Sequence, residues 1–144
     1  MEKKIILLVE DDTNEVVNAT KILRGYGFKV MVATNLTDAT AYFNMLKDKL
    51  SGIVTDLHFP QMDFNHPKDS ADKPSGFAVI IQAVEAKIPV VVCSNIDHHF
   101  ADYAQIVIKG LENISGQKIP FVMDDKNWQR AVEELINNLT KREE

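Results

Sequence analysis

The sequence predicts an α/β fold: a five-stranded, doubly wound parallel sheet with helices on both faces. Three observations predict it. Short, β-rich apolar runs alternate with segments of helical periodicity along the chain. Two of those runs, Ile5-Ile6-Leu7-Leu8-Val9 and Val90-Val91-Val92-Cys93, are apolar at every position, as strands buried on both faces must be. The 144 residues suit one domain with a real core.

The first strand, Ile5 to Val9, closes on Glu10-Asp11-Asp12. Val16, Thr20 and Leu23 then recur at helical spacing, with Asp12 or Thr13 as N-cap and Gly25 or Gly27 as the stop. Phe28 to Val32 alternates like a strand nearer an edge, and Leu36, Ala39, Tyr42, Phe43 and Leu46 carry a second helix. Ile53-Val54-Thr55 is a short strand ending at Asp56. Phe77 to Ala86 reads as a helix, and Pro89 introduces the strand Val90 to Cys93. A short helix around Phe100 to Ala104 is expected to lead to a fifth strand, Ile106-Val107-Ile108. Trp128, Val132, Leu135 and Leu139 mark the last helix, capped by Asp124 or Asp125. Five βα units joined by right-handed crossovers suit the flavodoxin-like strand order 2-1-3-4-5. Residues 1–144 thus read as one domain with two long inserted loops, 64–75 and 110–123.

Composition narrows the function. Sixteen Lys+Arg against 21 Asp+Glu give a net charge of −5, without a basic footprint for nucleic acid or an anionic membrane. The single cysteine, Cys93, excludes an internal disulfide framework and fits a reducing compartment. No apolar run reaches the ~18 residues of a membrane span, and the N-terminal run is too short for a signal-peptide core. The expectation is a cytoplasmic domain.

Ligands bind beyond the carboxyl ends of the strands in an open parallel sheet. There the sequence places Glu10-Asp11-Asp12, Asp56, Ser94-Asn95 and, after the expected fifth strand, Lys109. Crowded carboxylates either hold a proton or bind a cation, and an all-oxygen set selects a hard ion such as Mg²⁺. A lysine beside them suits an anionic group, so the implied substrate carries phosphate. Asp12 reads as a helix cap, and Cys93, in its valine-rich strand, as a small core residue. His58, Asp63, His66 and Asp69 are too irregularly spaced for a transition-metal site and read as a solvated loop.

Val9-Glu10-Asp11-Asp12, Thr55-Asp56-Leu57-His58-Phe59-Pro60-Gln61-Met62-Asp63, Val92-Cys93-Ser94-Asn95 and Ile108-Lys109 together resemble the motifs of response-regulator receiver domains in two-component signalling. The resemblance implies that Asp56 accepts a phosphoryl group from a histidine kinase or a small phosphodonor. It implies that Glu10, Asp11, Asp56 and the backbone carbonyl of His58 hold Mg²⁺, and that Ser94 and Lys109 contact the phosphoryl group. The partners it implies are a sensor histidine kinase or phosphotransfer protein and a downstream protein. Output is expected through docking, without an appended DNA-binding region, rather than through direct contact with nucleic acid. The alternative is a pseudo-receiver, an interaction module not regulated by phosphorylation. Three departures from the family pattern stand out: the long 64–75 segment before Gly76, Gly110 where proline commonly follows the lysine, and Ile106 where an aromatic commonly stands. The 64–75 loop is expected to lie over or beside Asp56, since it leaves the same strand end.

Overall fold

The computed structural model describes residues 3–62, 73–95, 98–123 and 125–143. Five parallel strands, β1 (Ile5–Val9), β2 (Lys29–Ala33), β3 (Leu50–Thr55), β4 (Val90–Cys93) and β5 (Phe121–Val122), form one sheet in the order β2-β1-β3-β4-β5. The predicted fold class and order are those observed. The helices are α1 (Thr13–Gly25), α2 (Leu36–Leu46), α3 (Gly76–Glu85), α4 (His98–Ser115) and α5 (Trp128–Glu143).

Side-chain alternation along the strands divides the core in two. Leu7, Val9, Ile53, Val90 and Val92 face α2, α3 and α4, where they meet Phe43, Ile80 and Ile108. Ile6, Leu8, Val54, Val91 and Cys93 face α1 and α5, meeting Leu23, Trp128 and Leu135. Ile6, Leu7, Leu8 and Val9 are wholly buried, each worth about 1.5–3 kcal/mol by transfer from water. This two-sided burial explains why β1 and β4 read as continuous apolar runs. Among the described residues no helix is long and apolar enough to cross a membrane.

The expected fifth strand is a correction. Ile106-Val107-Ile108 lies inside α4, which buries Ala104 and Ile108 and half-buries Leu111, at steps of four and three, while Ile106 is 72% exposed. A β-branched triplet imitates a strand locally, but the longer helical period around it decides the packing. The true β5 has two residues and docks through Val92 N–H to Pro120 O (2.9 Å) and Ser94 N–H to Val122 O (2.9 Å). Two residues are too few to display a period. The expected 110–123 loop is shortened accordingly: residues 110–115 finish α4 and 121–122 are β5.

The expected loop over 64–75 is described only at its return; residues 63–72, with Asp63, His66 and Asp69, lie outside the described residues. At its base, Phe59 N–H donates to Lys73 O (3.2 Å) and Ser75 Oγ to Phe59 O (2.9 Å). The outgoing Pro60 and Gln61 carbonyls accept the N–H groups of Leu36 and Thr37 at the start of α2 (3.0 and 2.9 Å). The segment after β3 thus satisfies helix-end donors that would otherwise lack partners.

At the opposite end of the sheet, Lys87 closes α3 with φ 60°. Its N–H donates to Val84 O (3.1 Å) and that of Ile88 to Ala83 O (2.9 Å), the pair of bonds that ends a helix on a left-handed residue. Glycine holds that conformation without a Cβ penalty. Lys87→Gly should therefore raise stability by about 0.5–1 kcal/mol, read as a higher urea midpoint.

Candidate functional site

The strand ends deliver the site. Glu10 follows β1 and donates its N–H to Ala33 O (3.0 Å); Asp56 follows β3 and donates its own to Val9 O (2.9 Å). The ladder therefore continues one step beyond the strands and fixes both backbones side by side. Asp12 caps α1, its carboxylate accepting from Asn14 N–H and Glu15 N–H (2.9 and 3.2 Å), as predicted. Glu10 Oε2 accepts from Asp11 N–H (2.8 Å) and Asp12 N–H (3.3 Å). Asp56 Oδ1 accepts from Leu57 N–H (2.7 Å). Glu10 and Asp56 are both buried, Asp11 half-buried, and one carboxylate oxygen from each lies within 4.8 Å of the others.

The lysine that faces them is Lys126. Its Nζ stands 2.5 Å from Glu10 Oε1 and 3.1 Å from Asp56 Oδ2. Lys109, the predicted lysine, is on exposed α4 surface, displaced from the strand ends together with the misplaced fifth strand. Lys126 lies between the last strand and the last helix. The signal was present in Pro120-Phe121-Val122-Met123, a short apolar run just before the terminal helix. Two other details shift with it. The position three residues before the lysine is Met123 rather than Ile106, and the cap of α5 is Asn127, whose Oδ1 accepts from Arg130 N–H (3.1 Å), rather than Asp124 or Asp125.

Ser94 directly follows β4 and is buried at the same rim. His58, two residues beyond Asp56, is half-buried and outside the carboxylate cluster. Cys93 is buried; loss of hydration and the nearby Asp56 and Glu10 carboxylates push its thiol well above the usual range, so it is inert core.

Charge in the pocket does not balance. Among the described residues, the three clustered carboxylates bring three negative charges when all are ionised, and Lys126, which contacts Glu10 and Asp56, brings one positive charge. Burial raises the Glu10 carboxyl, Asp56 raises it further, and Lys126 offsets only part, so Glu10 is pushed up to about 8. Burial works against the Lys126 charge, but Glu10 and Asp56 outweigh it and raise its affinity for the proton. A pocket this deficient in positive charge either keeps a proton on Glu10 or takes a cation. The all-oxygen donors and their spacing fit a hard divalent ion such as Mg²⁺.

The sign of the pH effect follows. Glu10 holds its proton more tightly in the folded chain than its ordinary value of 4.5, so metal-free stability is full below that value and lost as pH rises through about 8. The urea midpoint of metal-free protein should fall across that window, by about 1 kcal/mol or more in stability. Glu10→Gln should flatten the fall.

Comparison with family profiles and with curated protein sequences returns no match. Solved structures do match, over nearly the whole chain. A response regulator receiver domain protein from Clostridium thermocellum superposes with a TM-score of 0.71 at 16% identity, covering 97% of each chain. A response regulator receiver protein from Sinorhizobium medicae gives 0.66 at 21% identity over 98% of each. This chain has the receiver fold. A de novo designed Rossmann 2x3 protein also matches, with a TM-score of 0.58 at 14% identity over 94% of this chain and 90% of that one. A scaffold designed from scratch thus also superposes on this chain, so function must be argued from the acidic pocket rather than from the fold.

Proposed function

We propose that this receiver fold serves as a phosphoacceptor, with Asp56 taking a phosphoryl group from a histidine kinase, a phosphotransfer protein or a small phosphodonor. The observation that carries this reading is the buried Asp56 carboxylate, pinned through Oδ1 by Leu57 N–H and faced through Oδ2 by Lys126, with Glu10 and Asp11 beside it. A carboxylate is a weak nucleophile, so positioning and surrounding positive charge must supply the catalysis. An Asp56 oxygen attacks phosphorus, an O–P bond forms, and the bond to the donor's imidazole nitrogen or acyl oxygen breaks, the electron pair leaving with the donor.

Mg²⁺ held by Glu10, Asp11, Asp56 and the His58 carbonyl would supply charge that lowers repulsion between the carboxylate and the incoming phosphoryl oxygens. Lys126 takes the part first expected of Lys109: its ammonium neutralises Asp56 before transfer and pairs with the phosphoryl group afterwards. Ser94, at the neighbouring strand end, donates its hydroxyl to a phosphoryl oxygen. The added charge then alters the surface that a downstream partner reads.

Incubation with Mg²⁺ and acetyl phosphate, quenched rapidly and weighed intact, should show one added phosphoryl group in the wild type and none in Asp56→Asn. Equal labelling of both, or of neither, would overturn the proposal.

A further inference from the structure

We infer that Glu15 and Trp128 are positioning residues for Lys126: their hydrogen bond across α1 and α5 holds a strained turn that aims the ammonium into the pocket. The inference builds on the proposed role of Asp56 for the purpose it gives Lys126, while the contacts stand independently of that role.

Asp125 and Lys126 have φ of 43° and 51°, two successive residues with side chains in left-handed backbone. Such residues occur singly at a conformational cost, and a consecutive pair persists only where its surroundings hold it. The surroundings here are specific. Before the turn, Val122 is locked into the sheet against Cys93. After it, Asn127 caps α5 and Trp128 is buried against the β1 face of the core. Only Met123 to Asn127 spans these anchors.

Burial leaves the indole N–H in need of an acceptor, and Trp128 Nε1 donates to Glu15 Oε2 at 2.5 Å. Glu15 lies in the first turn of α1, directly after the Glu10-Asp11-Asp12 segment. This bond ties α1 to α5 beside the two stretches that supply the pocket, the acids before α1 and the lysine before α5, which the Lys126–Glu10 ion pair joins directly. A glutamate in the first turn of a helix also favours that helix through its dipole, which is the merely structural account. That account gives Glu15 no influence on Lys126 in a folded protein.

Acetic anhydride labelling of the full chain, mapped by peptide mass spectrometry, separates the two. In Glu15→Ala and Trp128→Phe, acylation of Lys126 relative to Lys118 in the same molecule should rise about tenfold or more, the scale carried by one lost hydrogen bond to a charged group. Glu15→Gln, which keeps an acceptor, should stay near the wild type. Acetyl phosphate labelling should fall in Glu15→Ala yet fall no further when Glu15→Ala is added to Lys126→Met. An unchanged Lys126 ratio in folded Glu15→Ala, or additive losses in the double variant, would overturn the inference. Wild-type protein that takes no phosphoryl group would defeat the role of Asp56, while the acylation ratio would still decide the role of Glu15.

Discussion

Lys126→Met should slow phosphoryl acceptance from acetyl phosphate by about a hundredfold, the scale on which one electrostatic contact to the reacting group acts. Lys109→Met should leave the rate unchanged. The contrast rests on position: Lys126 Nζ lies 3.1 Å from Asp56 Oδ2, whereas Lys109 is on the exposed surface of α4. Removing Lys126 takes away the ammonium that contacts Glu10 and Asp56, so metal-free Lys126→Met should also lose stability as pH rises and regain it on adding Mg²⁺. Stopped-flow labelling and urea titrations read the two effects separately. A slower Lys109→Met beside an unaffected Lys126→Met would reverse the assignment.

Gly76→Ala should destabilise the fold by about 3 kcal/mol or more. A Cβ there would stand 2.5 Å from Asp56 O, 2.7 Å from Leu57 Cα and 2.9 Å from Leu57 O, all backbone atoms that cannot rotate away. Gly76 N–H also donates to Leu57 O (2.8 Å), so the start of α3 cannot retreat without breaking that bond. Gly52→Ala is the internal comparison. Its Cβ would meet Leu135 Cδ1 at 2.8 Å, the end of a flexible side chain, and should cost about 1 kcal/mol. The close approach at Gly76 lies directly under Asp56, so surviving folded Gly76→Ala should also carry a displaced carboxylate. Urea midpoints of the two variants, equal within error, would contradict this ordering.

Much of this molecule was legible in its sequence because buried parallel strands leave continuous apolar runs. Ile5 to Val9 and Val90 to Cys93 announced the centre of the sheet, and the acids following Val9 and Thr55 announced one rim of the site. The strand β5 was not legible, since Phe121 and Val122 are too few to show a period and Ile106 to Ile108 offered a stronger local imitation. That one displacement carried the lysine with it, from Lys126 to Lys109. Neither did the sequence display Glu15 with Trp128, because a contact between residues 113 positions apart depends on α1 and α5 sharing one face. Tertiary packing, rather than composition, brings such pairs together.

The most direct measurement is a crystal structure grown with Mg²⁺ and beryllofluoride, a stable mimic of the phosphoryl group. The account predicts beryllium bonded to an Asp56 carboxylate oxygen, with Lys126 and Ser94 on its fluorines and the metal among Glu10, Asp11 and Asp56. Density for the mimic on any other residue, or an Asp56 carboxylate still bare at saturating concentration, would contradict it.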